Sequence, residues 1–129
     1  MTRGKRIAVS IAVLGLSISL VTACAGRGGT AVAKSAGDPA KGKALFAQTC
    51  SACHGPDAKG LPGLGKDMTT SAFIKSQTDP RLVEFIKKGR PSTDPANTTK
   101  VDMPPKGGNP AMTDAQIGDV VAYIRTLQK

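Results

Sequence analysis

At 129 residues the chain has room for one domain, which excludes any multi-domain architecture. Its 18 Lys and Arg outnumber 9 Asp and Glu, a formal charge of +9, but the cations are scattered rather than massed, which argues against a nucleic-acid binder. Only three Phe, one Tyr and no Trp are available to build a core, so a domain of this size gains from an apolar cofactor at its centre.

The first segment stands apart from the rest. Arg3, Lys5 and Arg6 form a basic start, followed from Ile7 to Val21 by the uncharged run IAVSIAVLGLSISLV. A positive region, an apolar region and then small residues form an export signal. Val21-Thr22-Ala23-Cys24 resembles a bacterial lipobox. That resemblance implies cleavage before Cys24 and attachment of lipid to its thiol. The alternative is an uncleaved anchor helix, for which the 17 uncharged residues from Ile7 to Ala23 are at the short limit. Either way the remainder is expected outside the cytoplasm and tethered to a bacterial membrane. Residues 1–23 are thus read as signal, and 24–37 as a lipidated N-terminus with a flexible linker (AGRGGTAVAKSAG) spanning roughly 20 Å. Residues 38–129 form the domain. Without the signal, 15 basic residues face 9 acidic ones, a net of +6, a surface suited to acidic protein partners or anionic head groups.

Asp38-Pro39 pairs a cap residue with proline and opens a helix running to Cys50. The Gly- and Pro-rich stretch from Gly55 to Met68 reads as loop. Thr70 or Ser71 caps a short helix AFIKSQ, and Asp79-Pro80 repeats the cap-plus-proline signal before RLVEFIKK, which Gly89 ends. Lys87-Lys88 reads as a solvated helix end suited to the dipole, and Asn97-Thr98-Thr99 as a glycosylation acceptor without meaning in a bacterial lipoprotein. After a second loop to Ala111, Thr113 and Gln116 form a capping box and Met112 with Ile117 a hydrophobic staple. Ile117, Val120, Val121, Ile124 and Leu127 then fall on one helical stripe. No segment alternates like a strand. The expected fold is all-α, about four helices whose long loops wrap a cofactor.

That cofactor is indicated by Cys50-Ser51-Ala52-Cys53-His54, the C-x-x-C-H attachment sequence for one haem c. Cysteines three apart lie on one side of a helical turn, where each thiol can add to a porphyrin vinyl group while His54 reaches the iron. A zinc site would need four ligands, and the domain offers two cysteines and one histidine. A thioredoxin-like pair would need a strand-containing fold. His54 is the only histidine, so the candidates for a sixth iron ligand within this chain are the methionines Met68, Met103 and Met112, with Met103 the expected ligand and an iron without a sixth protein ligand the alternative. Met112 has a role as staple, and Met68, 14 residues after His54, reads as a cavity-lining or partly exposed residue. Met103 precedes Pro104-Pro105, a stiff backbone, and lies 49 residues from His54, enough chain to pass around the haem.

From Asp38 to Lys129 the chain resembles a bacterial class I cytochrome c, on the Gly42–Phe46 helix, CSACHG, a Gly/Pro loop, MPPKGG and the closing helix TDAQIGDVVAYIRTL. The resemblance implies a helical wrap around one haem with a porphyrin edge exposed. It also implies that Gly42 and Phe46 cross the last helix near Tyr123, and that a loop proline, here Pro62, accepts a hydrogen bond from the ligand histidine. The expected function is one-electron transfer without bond-making, by a free carrier. The alternative is a relay subunit of a dehydrogenase or oxidase complex, and an open iron used for catalysis or sensing would require that Met103 not bind.

Overall fold

A computed structural model of the chain describes residues 37–129; the expected signal, Cys24 and the expected linker up to residue 36 lie outside them. The described residues contain five α-helices and no strand: α1 (Pro39–Thr49), α2 (Ser51–His54), α3 (Ala72–Ser76), α4 (Asp79–Lys88) and α5 (Asp114–Thr126). The fifth helix arises because the run expected to reach the cysteine motif unbroken is interrupted at Cys50 (φ −102°, ψ −30°), leaving the motif on its own turn.

Most helix boundaries follow local chemistry. The Asp38 carboxylate accepts from the amides of Ala40 and Lys41, with Pro39 in the first turn. Ser71, not Thr70, caps α3 by accepting from the Ile74 amide. Thr113 and Gln116 complete their reciprocal box at the start of α5. Asp79 departs from expectation. It lies inside α4 and makes no cap, because its Oδ1 accepts from Arg125 Nε at 2.8 Å. The same guanidinium donates to the carbonyls of Ile74 and Gln77, so the end of α5 is fastened to the α3–α4 junction.

The α1–α5 crossing organises the core. A Cβ on Gly42 would overlap the Asp119 carbonyl and sit 2.9 Å from the Tyr123 Cβ, so only glycine permits this approach. One turn on, Phe46 is buried and meets Tyr123 edge-on, with centroids 5.5 Å apart. Asp119 Oδ1 accepts from the Asp38 amide at 2.7 Å, joining the N-cap of α1 to α5. The expected stripe of Ile117, Val120, Val121 and Ile124 is buried, with Leu127 packed at its edge, and Leu82 and Ile86 of α4 join the same cluster. Met112 joins it too, 2% exposed and in the same buried cluster as Ile117, consistent with a staple. Lys87 is not merely solvated: it pairs with Glu84 at 2.8 Å and with Asp114 at 2.9 Å, bridging α4 to the first turn of α5.

Candidate functional site: a haem cavity

The helices and the two long loops surround a cavity of about 400 Å³ whose walls include Cys50, Cys53, His54, Met68 and Met103, with an otherwise mostly apolar lining. The turn α2 presents the attachment motif. His54 N–H bonds back to the Cys50 carbonyl at 3.0 Å, fixing the histidine one turn from the first cysteine. Both cysteines are half-buried free thiols. Burial, and then the neighbouring Cys53, push the Cys50 thiol up to about 11. Among the described residues, no three His, Cys, Asp or Glu side chains cluster in a way that could hold a metal ion.

The His54 ring is oriented by Nδ1, which donates to the Lys66 carbonyl at 3.0 Å. A carbonyl only accepts, so the proton is on Nδ1 and the Nε2 lone pair is free for iron. Burial lowers the His54 pKa, which favours the neutral, ligating ring. The acceptor is therefore not Pro62. A tight turn, with the Leu64 amide on the Leu61 carbonyl at 3.0 Å, leaves Pro62 exposed, and the chain returns to the ring only at Gly65–Lys66. Gly65 allows that return, since a Cβ there would meet the Cys53 carbonyl and lie 3.0 Å from His54 Nδ1.

Of the three candidate methionines, Met112 lies in the core and not on the cavity wall. Met68 and Met103 both line the cavity. Met68 is buried rather than partly exposed, its amide on the Ala58 carbonyl at 2.8 Å and its carbonyl receiving the Gln128 side chain. Met103 is clasped at both backbone groups by Arg90, at 2.8 and 2.9 Å, where Gly89 ends α4. Beyond it Pro104 and Pro105 lead into a turn with Lys106 and Gly107 in the left-handed region.

Two further wall residues lie outside the C-x-x-C-H turn and the Met-Pro-Pro segment. Arg90 places its guanidinium 4.9 and 4.7 Å from the ring centroids of Phe73 and Phe85 and pairs with Asp94 at 3.3 Å. Asn97, 5% exposed, donates to the carbonyls of Pro91 and Val101 at 3.1 and 2.8 Å and accepts from Thr99 and the Lys100 amide. It is the internal brace of the 91–102 loop. Neither role left a spacing signal in the sequence, because the partners are ring faces and backbone carbonyls.

An all-α wrap around a C-x-x-C-H turn, with a methionine clasped across the same cavity, defines a protein built around covalently attached haem c. The comparisons agree. The cytochrome c family profile matches residues 39–128, and the chain belongs to the cytochrome c family. It is 37% identical over 89 residues to cytochrome c-555 of Chlorobaculum thiosulfatiphilum, covering 67% of this chain and 93% of that one. Cytochrome c-555 of Prosthecochloris aestuarii is 35% identical over 88 residues, covering 67% and 85%. The CcoP subunit of the cbb3-type cytochrome c oxidase of Rhodobacter capsulatus is 32% identical over 87 residues, but these are only 28% of that subunit.

Proposed function

We propose that this is an exported, membrane-tethered cytochrome that carries single electrons between redox proteins. The observation that carries the reading is the pairing, in one cavity, of an oriented histidine with a backbone-clasped methionine. Bound haem supplies a one-electron Fe(III)/Fe(II) couple. The chain's own residues hold it: Cys50 and Cys53 through thioethers, His54 through Nε2 and Met103 through its thioether. With His54 and Met103 both given to the iron, no position would remain for substrate, which favours transfer over catalysis or sensing. Gly42, Phe46 and Tyr123 keep the scaffold rigid, so that little rearrangement accompanies a change of charge at the iron.

Residues 1–23 act as a lipoprotein-type signal, Cys24 carries the lipid, and residues 24–37 tether the domain of 38–129 outside the cytoplasm. No helix of the described residues is long and apolar enough to cross a membrane. Each of the nine Asp and Glu has a hydrogen-bond or ion-pair partner, whereas Lys43, Lys75, Arg81, Lys88 and Lys100 pair with no carboxylate among the described residues. The surplus positive surface suits partners with acidic docking faces. The likeness to an oxidase subunit supports a second reading, an electron-relay subunit of a dehydrogenase or oxidase complex.

The test is fractionation and mass spectrometry of the native protein. The carrier reading expects a lipid-modified N-terminus at Cys24, a soluble or unprocessed Cys24→Ala variant, and release from membranes by detergent as a single polypeptide. Release only as a fixed-stoichiometry complex favours the relay subunit, and an intact residue 1 refutes the lipoprotein assignment.

A further inference from the structure

Outside the haem cavity, a shallow groove between α3 and α4 has Phe73, Pro80, Arg81, Glu84, Phe85 and Lys88 among its lining residues. Its floor is unusual in facing both ways: Phe73 and Phe85 line the groove and also the wall of the haem cavity. Their centroids are 5.0 Å apart at 58°, and the Arg90 guanidinium sits against both rings from the cavity side. Phe73 is 38% exposed, one of four large apolar side chains among the described residues that are so open to water. The rim is set by helical spacing. Arg81, Glu84, Phe85 and Lys88 fall at i, i+3, i+4 and i+7, one outer stripe of α4. Glu84 on that stripe shares Lys87 with Asp114, and the two cations Arg81 and Lys88 against this one carboxylate leave the groove lining net positive.

We propose that the α3–α4 groove is a docking surface for a redox protein whose face carries carboxylates around an apolar side chain. Exposed aromatic surface supplies the desolvated centre of such contacts, and the flanking cations select an acidic partner and speed its approach. Docked there, the partner is separated from the haem cavity by the Phe73–Phe85 pair and the Arg90 guanidinium stacked behind it. One electron passes between the partner's metal or flavin centre and the iron: one centre loses it, the other gains it, and no proton or atom moves. This inference rests on the electron-carrier reading.

The experiment uses membrane vesicles from a bacterium producing the full-length, haem-loaded protein, in which reduction by a respiratory donor and reoxidation after an oxygen pulse are followed spectroscopically. Arg81→Glu with Lys88→Glu is compared with Lys43→Glu with Lys129→Glu, an equal charge change on exposed residues elsewhere. The expected result is a fall of about tenfold in the reduction or the reoxidation rate for the groove variant alone, shrinking as salt is raised. Equal rates in the two variants overturn the groove as a docking site while leaving the carrier reading intact. A groove variant that loses only adsorption to anionic lipid vesicles, at unchanged rates, makes the groove a lipid contact and also overturns the proposal. A wild type that exchanges no electrons in the vesicles refutes the carrier reading, and this inference with it.

Discussion

Gly42→Ala adds one methyl group at the tightest point of the α1–α5 crossing. Ordinary contacts of a Cβ begin near 3.4 Å, so α5 must retreat by more than 1 Å from the Asp119 carbonyl. Overpacking of this kind costs about 1–3 kcal/mol. The retreat also weakens the Asp38–Asp119 hydrogen bond at 2.7 Å, about 1 kcal/mol, and the Phe46–Tyr123 contact at 5.5 Å, about 0.5–1.5 kcal/mol. Against this, replacing glycine by alanine inside a helix gains about 1 kcal/mol. The net loss is about 2–4 kcal/mol, which for a domain of this size lowers the melting temperature by about 10–25 °C. Thermal and guanidinium unfolding of the ferric holoprotein, followed by far-ultraviolet circular dichroism, measure it. Gly118→Ala is the control: a Cβ there meets nothing within 4 Å, so the variant is expected to gain up to about 1 kcal/mol. If Gly42→Ala is as stable as wild type, the crossing is not held by contact at this glycine.

Met103→Ala is expected to abolish the weak red absorption band of thioether-ligated ferric haem, admit cyanide or imidazole, and lower the reduction potential; Met68→Ala and Met112→Ala keep the band, and the reverse pattern for Met68 and Met103 identifies the other methionine as ligand. Arg125→Ala removes donors from Asp79, Ile74 and Gln77, which at a quarter-exposed site costs about 2–3 kcal/mol in guanidinium unfolding, and Arg125→Lys recovers less than half because one ammonium cannot span three acceptors. Hydrogen bonds from the Thr69 side chain, then its amide, lower the Asp67 pKa. The stability this contributes is complete above the ordinary carboxylate value of 3.8 and is lost as pH falls towards the lower folded value, so acid titration of Asp67→Asn is expected to show a shallower decline over that window.

What could be read in the sequence was what local chemistry or a fixed spacing determines. The caps at Asp38 and Thr113, the stop at Gly89, the α5 stripe and the C-x-x-C-H turn all act over a few residues, and all are in place. Errors arose where a distant group outcompeted a local one. Asp79 has the composition of a cap, but Arg125, 46 residues away, takes its carboxylate. The His54 acceptor moved from Pro62 to Lys66 because turn geometry decides which carbonyl faces the ring, and composition does not encode that choice. Lys87 is tied to Asp114, 27 residues on, by the packing of α4 against α5. Arg90 and Asn97 were silent because their partners are ring faces and backbone carbonyls, which leave no spacing signature.

The Arg90–Met103 backbone clasp gives the domain a form of modularity. The 91–102 segment leaves and returns at one point, braced internally by Asn97, and Met103 takes its position from the end of α4 rather than from the length of chain before it. Closing a loop twice as long costs only about 0.6 kcal/mol more. The segment can therefore be lengthened, shortened or replaced between two fixed hinge residues without moving the methionine. The wall of the cavity contributed by this segment can then diverge while Met103 keeps its place opposite the attachment turn.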